Sequence, residues 1–251
     1  MDLKQLKKLK LFKDEKLINL DILENQGFCN INYKLTTSKG LYLIREFKSD
    51  MSVNISREFE YKTQNKAYKK NIAPKAIYMD KDKSFMITEF LKGSHKEKLS
   101  QKDISRLVKA IKKIHSIKVT QKPYNLKKDF IAYSRSLNDN ESKRLIKSSL
   151  KELKGIRSFK SRYVTTHHDL NPKNIIFHKS TIKFIDWEYV GVNDCFFDLA
   201  SICVEFNLDK KEQNYLLNKY FTKVKAEYKS LLKAYIYIYE ALCILWFKVQ
   251  N

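Results

Sequence analysis

Short runs of apolar, β-branched and aromatic residues, which are typical of strands, recur in the first third of the chain, and within 28–35 the apolar positions alternate with a period of two. The five strands predicted from this pattern are 22–24, 28–35, 41–47, 76–80 and 84–90. A helix is predicted over 55–70, and the lysine-rich residues 1–20 are typical of a short amphipathic helix. This part of the chain therefore predicts a five-stranded antiparallel sheet with one main helix.

From residue 92 onward the period of the apolar positions becomes helical. Ser100 and Asp103 form a capping-box pattern, and the apolar face that follows ends near His115, which we interpret as a packing or capping residue. Further helices are predicted within 124–160 and over 196–206, 211–221 and 223–249. Three short strands are predicted at 162–166, 175–178 and 181–185. The whole pattern predicts an α+β protein with a sheet-rich N-terminal domain, 1–91, and a larger, mostly helical C-terminal domain, 92–251.

The composition is that of a basic globular protein. The chain has 251 residues, of which 43% are apolar, and 50 Lys and Arg against 28 Asp and Glu give a formal charge of +22. Such a balance favours acidic partners, but no zinc-binding spacing, RNA-binding signature or basic-aromatic repeat accompanies it. We therefore expect solvated lysine faces and no specific nucleic-acid partner.

The four cysteines are scattered along the chain without a metal-binding spacing, which favours reduced, mostly buried thiols. No signal-peptide pattern follows the basic N-terminus, and the apolar stretch 231–247 is interrupted by Lys233 and Glu240. The sequence thus predicts a cytoplasmic protein without a membrane span, and it gives no indication of oligomeric state.

One segment reverses the overall charge. Between Lys183 and Lys210 there is no Lys or Arg, whereas six acidic residues are present: Asp186, Glu188, Asp194, Asp198, Glu205 and Asp209. A negative site in a basic protein suits Mg²⁺ and a cationic substrate. At least two of these acids are expected to cap helices or pair with distant lysines instead, and Asp194 and Asp209 are the best placed to do so.

The residues with the clearest chemistry overlap this segment. His167, Asp169 and Asn174 form H-x-D-L-x-x-x-N, and a predicted hairpin then leads to Asp186. Phosphoryl transfer from a nucleotide needs a carboxylate that accepts the hydroxyl proton and oxygen ligands that hold Mg²⁺. Asp169 is therefore the predicted base, and Asn174 and Asp186 are the predicted metal ligands. The alternative is a solvated loop without catalytic function, and it is weakened because His167, Asp169, Asn174 and Asp186 all stand at the spacing that this chemistry needs.

These residues resemble the motifs of the protein-kinase-like phosphotransferases, which include aminoglycoside phosphotransferases and choline, ethanolamine and thiamine kinases. The I-D-W-E-Y of 185–189 and the F-D-L-A of 197–200 are similar to the small-molecule branch, and to bacterial choline kinases in particular. The resemblance implies a two-lobed protein-kinase-like fold, ATP and Mg²⁺ as cofactors, and a small cationic alcohol as substrate. It also counts His167 with Asp169 among the catalytic residues and places Asp169 against the substrate.

Choline is the favoured substrate under this resemblance. Ethanolamine, thiamine and aminoglycosides are the alternatives within the same class of enzyme. A pseudokinase that binds nucleotide or nucleic acid without catalysis is the alternative from a different class.

The resemblance also implies how the N-terminal domain binds ATP. Gly27 and Asn30 belong to a G-x-x-N-x-N-Y string similar to the hairpin tip that covers the phosphates in the family, although an ordinary hairpin turn fits the same string. Arg45 stands where the family places the cation that binds the α- and β-phosphates. Its expected partner is Glu60 rather than Glu58, with a surface ion pair as the alternative interpretation.

After the last strand of this domain, Glu89, Phe90 and Leu91 correspond to the connector that contacts adenine in the family. A simple interdomain linker is the alternative interpretation of these three residues.

The substrate contacts implied by the resemblance come from two segments. Trp187, Glu188 and Tyr189 belong to the W-E-Y string, and Tyr239 and Trp246 share a face of the last predicted helix. Aromatic faces attract quaternary ammonium groups by cation–π interaction, and a carboxylate adds charge. The competing interpretation is that the aromatic stripe belongs to the core.

Overall fold

A five-stranded sheet organises the N-terminal unit, Met1–Gly93. The computed structural model describes residues 1–24, 30–48 and 55–250. The strands of this sheet are β1 Leu17–Ile22, β2 Asn30–Thr37, β3 Leu41–Phe47, β4 Ala76–Met79 and β5 Phe85–Glu89, and the helices are α1 Leu3–Lys7 and α2 Arg57–Lys69. The strands follow the order β1-β2-β3-β5-β4, and every neighbouring pair is antiparallel. The predicted sheet with one main helix is confirmed.

The register of the sheet aligns its buried side chains in a row. Tyr33 lies opposite Ile44, which in turn lies opposite Ile87, and all three are buried together with Leu6 and Phe12 from the N-terminal segment. Successive side chains of a strand point to opposite faces of the sheet. Arg45, the residue after Ile44, therefore faces away from this row.

The first strand differs from the prediction. The predicted helix over 1–20 is limited to α1 and a single 3-10 turn, Lys10–Phe12, while Leu17–Ile22 forms β1. Pairing with β2 supplies this segment with backbone hydrogen bonds, and Leu17 and Leu20 pack against the core cluster. Tertiary pairing thus outweighs a weak local preference for helix.

The C-terminal unit, Ser94–Asn251, is mostly helical. Its helices are α3 Gln101–His115, α4 Leu126–Ser136, α5 Asn140–Ile156, α6 Cys195–Glu205, α7 Lys210–Tyr220 and α8 Ala226–Gln250. Its strands, β6 Tyr163–Thr166, β7 Ile175–His178, β8 Thr181–Phe184 and β9 Gly191–Asp194, form two antiparallel pairs, β6 with β9 and β7 with β8. The strand β9 was not predicted, because G-V-N-D has no apolar alternation and becomes a strand only by pairing with β6.

Side-chain caps define where several of these helices begin. Ser100 and Asp103 form the predicted capping box of α3. Asp194 caps α6 through the N–H of Phe196, and Asp209 forms a capping box with Glu212 at the start of α7. Two of the six acids in the charge-reversed segment are therefore helix caps, as predicted.

Helix α8 is long and apolar enough to cross a membrane by length and composition alone, and no other helix of the described residues meets that test. In the structure it packs against α4, α5 and α6 and has eight buried side chains. These contacts are those of a core helix.

Candidate active site

The loop between β6 and β7 is shaped by a side-chain cap. Asn171 Oδ1 accepts hydrogen bonds from the backbone N–H groups of Lys173 (2.9 Å) and Asn174 (3.2 Å). Pro172 begins the 3-10 turn Pro172–Asn174, where its fixed φ fits and its missing N–H is not needed. The loop that carries Asp169 is therefore a tight, hydrogen-bonded turn.

Two side-chain amides hold the Asp169 carboxylate. Asn171 Nδ2 donates to Oδ1 (2.8 Å), and Asn174 Nδ2 donates to Oδ2 (2.6 Å) and to the Asp169 carbonyl (3.1 Å). Burial raises the pKa of Asp169 to about 6, and the charges of Glu205 and Glu188 act in the same direction, while the two amide hydrogen bonds oppose them. A carboxylate with this pKa is suited to accept a proton near neutral pH.

Asp186 follows β8 in an unusual backbone conformation. Its φ is 59°, in the left-handed region of backbone conformation that residues other than Gly rarely adopt. The preceding residue, Ile185, donates its N–H to the Asn174 carbonyl (3.0 Å), and its own carbonyl accepts from His167 Nε2 (3.1 Å). The segment that carries Asp186 is thus bonded on both sides to the loop that carries Asp169 and Asn174.

The surroundings of His167 favour a positioning role over the predicted catalytic one. Its side chain is fully buried, and its ring packs against Trp187 with 4.7 Å between centroids. Burial lowers the pKa of His167 to about 4, so the ring is neutral at physiological pH and donates Nε2–H to the Ile185 carbonyl. A group enclosed in this way connects the ends of β6 and β8 and has no exposed surface.

Asp198 fastens the backbone of the same loop. It lies on α6 with no exposed surface, and it accepts the N–H groups of His167 (2.9 Å) and His168 (3.0 Å) and the Nε2 of His115 (3.1 Å). Burial alone would raise the pKa of Asp198, but the hydrogen bonds and the charge of His115 hold it below its usual range. The resemblance gives no role to the F-D-L-A string. In the structure its aspartate, Asp198, bonds the backbone of the loop.

His168 also supports the loop. Its φ is 71°, its Nδ1 donates to the Tyr189 carbonyl (2.7 Å), and Asn193 Nδ2 donates to its Nε2 (2.9 Å). A Cβ on Gly191 would lie 3.0 Å from the His168 ring, so the strand β9 approaches the ring closely only because this residue is Gly. The two histidines therefore anchor the loop in different directions.

A second acidic side chain near Asp169 was missed as a site residue. Glu205, the last residue of α6, accepts a hydrogen bond from the Tyr239 hydroxyl (2.8 Å), and it lies close enough to raise the pKa of Asp169. Burial raises the pKa of Glu205 itself. The signal was present in the sequence, since Asp198 and Glu205 are seven residues apart and share a face of one helix.

The predicted substrate residues fall into three groups. Trp187 is fully buried and donates its indole N–H to the Phe184 carbonyl (2.9 Å), so it belongs to the core and not to a substrate surface. Glu188 and Tyr239 are buried near Asp169: the charge of Glu188 raises the pKa of Asp169, and the charge of Asp169 contributes to the raised pKa of Tyr239. Trp246 is half-buried with its ring edge on Phe247, and it shares a helix face with Tyr239. Tyr189, also half-buried, contributes its carbonyl to the His168 contact.

In the N-terminal unit, Arg45 faces away from the row of core side chains and meets α2. Its Nη1 lies 2.5 Å from Glu60 Oε1, and Arg57 Nη1 lies 3.0 Å from Glu60 Oε2. All three side chains are buried, and both guanidinium groups lie over the Phe47 ring. The predicted Arg45–Glu60 pair is present, and it is buried rather than a surface pair; Arg57 was not foreseen.

The other predicted nucleotide contacts are described in part. Gly27 lies outside the described residues. Asn30 is buried at the start of β2, paired with Phe47. At the end of β5, Phe90 donates its N–H to the Leu41 carbonyl (3.3 Å), and Glu89 Oε2 accepts from the Lys75 N–H (3.0 Å). Leu91, half-buried, follows directly.

Comparison with known proteins gives a family. The sequence model for Choline/ethanolamine kinase matches residues 22–243. The LicA protein of Haemophilus influenzae is 24% identical over 243 residues, covering 90% of this chain and 72% of its own length.

Two solved structures show the fold. The choline kinase LicA from Streptococcus pneumoniae superimposes with a TM-score of 0.81 at 18% identity, covering 99% of this chain and 91% of its own. A spectinomycin phosphotransferase in complex with ADP and spectinomycin gives a TM-score of 0.71 at 16% identity, covering 99% and 88%. Both neighbours confirm the predicted kinase-like fold.

The family match and the shared fold identify a small-molecule kinase of the protein-kinase-like class. The chain belongs to the choline/ethanolamine kinase family.

Proposed function

We propose that this protein transfers the terminal phosphoryl group of ATP to the hydroxyl of a small cationic alcohol, with choline as the favoured substrate. The observation that carries the proposal is the linkage of Asp169, Asn174 and Asp186 through short hydrogen bonds and the Ile185 backbone. The similarity to the choline kinase LicA supports choline among the cationic alcohols.

Asp169 is the proposed proton acceptor. Each of its carboxylate oxygens accepts one amide N–H, which leaves each oxygen a further lone pair for the substrate hydroxyl. The amides fix the direction of that lone pair, so the alcohol is oriented as well as deprotonated. The alcohol proton moves to Asp169 while the alcohol oxygen bonds to phosphorus, and ADP leaves.

The donor set fits Mg²⁺. The Asn174 side-chain Nδ2 donates to Asp169, so the Asn174 Oδ1 points away from that carboxylate. The Asn174 Oδ1 and the Asp186 carboxylate are hard oxygen ligands of the kind that Mg²⁺ prefers. Magnesium commonly takes one or two protein side chains and completes its shell with phosphates and water. Bound there, it would neutralise charge on the transferred phosphate.

We assign nucleotide binding to the N-terminal unit. Arg45, oriented by Glu60, is the proposed phosphate-binding cation, and Gly27 and Asn30 belong to the proposed phosphate-covering turn. The Phe90 N–H is already bonded to Leu41, so adenine contacts would come from other backbone groups of 89–91. The ADP bound to the related spectinomycin phosphotransferase supports a nucleotide in this role.

We assign the cation of the substrate to Glu188, Glu205, Tyr239 and Trp246. The carboxylates of Glu188, which is buried, and Glu205, which is half-buried, attract a positive charge, and an aromatic face suits a quaternary ammonium group without N–H donors. In this assignment the residues 92–251 carry catalysis and 1–91 hold the nucleotide. A cytoplasmic location and the absence of a specific nucleic-acid partner stay predictions.

The test is an ADP-release assay with MgATP and a panel of choline, ethanolamine, thiamine and kanamycin. We expect turnover with choline, lost in Asp169→Asn and retained in Asp209→Asn, a matched change at a helix cap. Turnover with kanamycin but not choline would overturn the substrate assignment and leave the reaction class intact. ADP release no greater than that of Asp169→Asn with every alcohol would overturn the reaction.

A further inference from the structure

Three helix ends meet behind the loop that carries Asp169. His115 is the last residue of α3, Tyr220 the last residue of α7, and Asp198 lies in the first turn of α6. The His115 side chain is 4% exposed and the Asp198 side chain is fully enclosed. Asp198 and Tyr220 are 83 and 105 positions from His115 in the sequence, so only the tertiary structure brings the three residues together.

Hydrogen bonds connect the side chains of Tyr220, His115 and Asp198. Asp198 Oδ2 accepts both the His167 N–H (2.9 Å) and His115 Nε2 (3.1 Å). The Tyr220 hydroxyl lies 2.6 Å from His115 Nδ1, with the two rings edge to face at 5.5 Å. The Asp198 carboxylate can only accept, so His115 Nε2 donates to it, and the second contact, between His115 Nδ1 and the Tyr220 hydroxyl, holds the plane of the ring.

We propose that His115 and Tyr220 are positioning residues for phosphoryl transfer, acting through Asp198 on the backbone N–H groups that set the direction of Asp169. This inference rests on the proposed function for its kinetic readout only. Asp198 holds the N–H groups of the two residues immediately before Asp169, so a rotation of its carboxylate displaces the base. His115 is the side chain that limits that rotation, and Tyr220 limits the rotation of His115.

Two amide substitutions separate this role from simple packing. The Nε2 of Gln occupies the place of the histidine Nε2 and can donate to Asp198, whereas the Nδ2 of Asn occupies the place of Nδ1 and cannot reach it. We expect His115→Gln to keep kcat within about 3-fold, and His115→Asn to lower it about 10- to 100-fold with little change in KM for ATP. Tyr220→Phe keeps the packing and removes only the hydroxyl, and it should lower kcat by a smaller factor.

Residue-resolved amide hydrogen exchange provides the second readout, and it does not require a substrate. The N–H groups of His167 and His168 should exchange faster in His115→Asn and Tyr220→Phe than in the unaltered protein and in His115→Gln. The Ile185 N–H, which is bonded to the Asn174 carbonyl, serves as the internal reference.

Equal loss of kcat in the Gln and Asn variants, or unchanged exchange at His167 and His168 in His115→Asn, would overturn the proposal. If the Asn variant fails to fold, the Tyr220→Phe variant decides by the same exchange measurement. If no alcohol is phosphorylated by the unaltered protein, the proposed function fails, while the exchange result still supports or overturns the positioning contacts.

Discussion

Replacing Glu60 by Gln removes the negative charge of a carboxylate that contacts two buried arginines, Arg45 and Arg57. Glu60 has no exposed surface, and its two carboxylate oxygens lie 2.5 Å from Arg45 Nη1 and 3.0 Å from Arg57 Nη1. Gln has nearly the same volume, so the change creates no cavity. Its NH₂ group, however, faces a guanidinium that can only donate hydrogen bonds.

The size of the effect follows from the burial of the pair. Removing one partner of a buried ion pair costs roughly 3–5 kcal/mol, because the remaining charge is left desolvated. For chains of this length each kcal/mol shifts the melting temperature by about 2–4 °C. Even the low end, about 3 kcal/mol, predicts a fall of about 6–12 °C. Arg45 also loses its orienting partner, so KM for ATP should rise by about 10-fold.

Differential scanning fluorimetry and ADP-release kinetics measure the two effects, and Glu58→Gln is the matched control. Glu58 lies two residues earlier on the same helix, and it is exposed and paired with Lys62 and Lys83. Water and salt screen such pairs, so neither the melting temperature nor KM should change. Equal effects of the two substitutions would refute the reasoning, since they would show that burial of the Arg45–Glu60 pair contributes nothing.

Three further predictions concern the C-terminal unit. Asn174→Ala removes the amide that donates to Asp169, and kcat should fall at least about 100-fold with an unchanged circular dichroism spectrum. Glu205→Gln keeps an acceptor for the Tyr239 hydroxyl but removes the charge; KM for the alcohol should rise about 10-fold while KM for ATP, the internal control, does not. The pKa of His167 is lowered from 6.5 to about 4, so the unfolded chain takes up a proton that the folded one does not, and the melting temperature should fall as pH drops from 6.5 towards 4. His167→Gln retains the donor to Ile185 and should flatten that dependence; an unchanged slope would contradict the assignment.

The features that the sequence predicted correctly depend on short-range patterns. Strand β3 was predicted at its observed bounds because a run rich in apolar and aromatic residues directly follows a turn sequence, 37–40. The caps at Ser100, Asp194 and Asp209 follow from side chains that bond their own next turn. Asp169, Asn174 and Asp186 lie within 18 residues joined by one hairpin, so a local spacing was enough to predict that their backbone segments lie side by side. Their roles in catalysis and metal binding stay predictions.

Features that depend on distant partners could not be predicted in this way. The strand β1 forms because β2 lies beside it, and Trp187 and His167 are buried because of the elements that enclose them. Glu205 joins the site through Tyr239, which is 34 residues away on another helix. The type of each residue gave no indication of these partners.

The sequence by itself determined the class of reaction, since the carboxylates and the amide that it requires lie in one continuous segment whose strands form from local alternation. The tertiary structure alone decided which of those polar residues bond the loop from the interior and which keep exposed surface. That distinction depends on burial, and burial is set by helices and strands far apart in the chain, as the Asp198 contacts with His115 and His167 show.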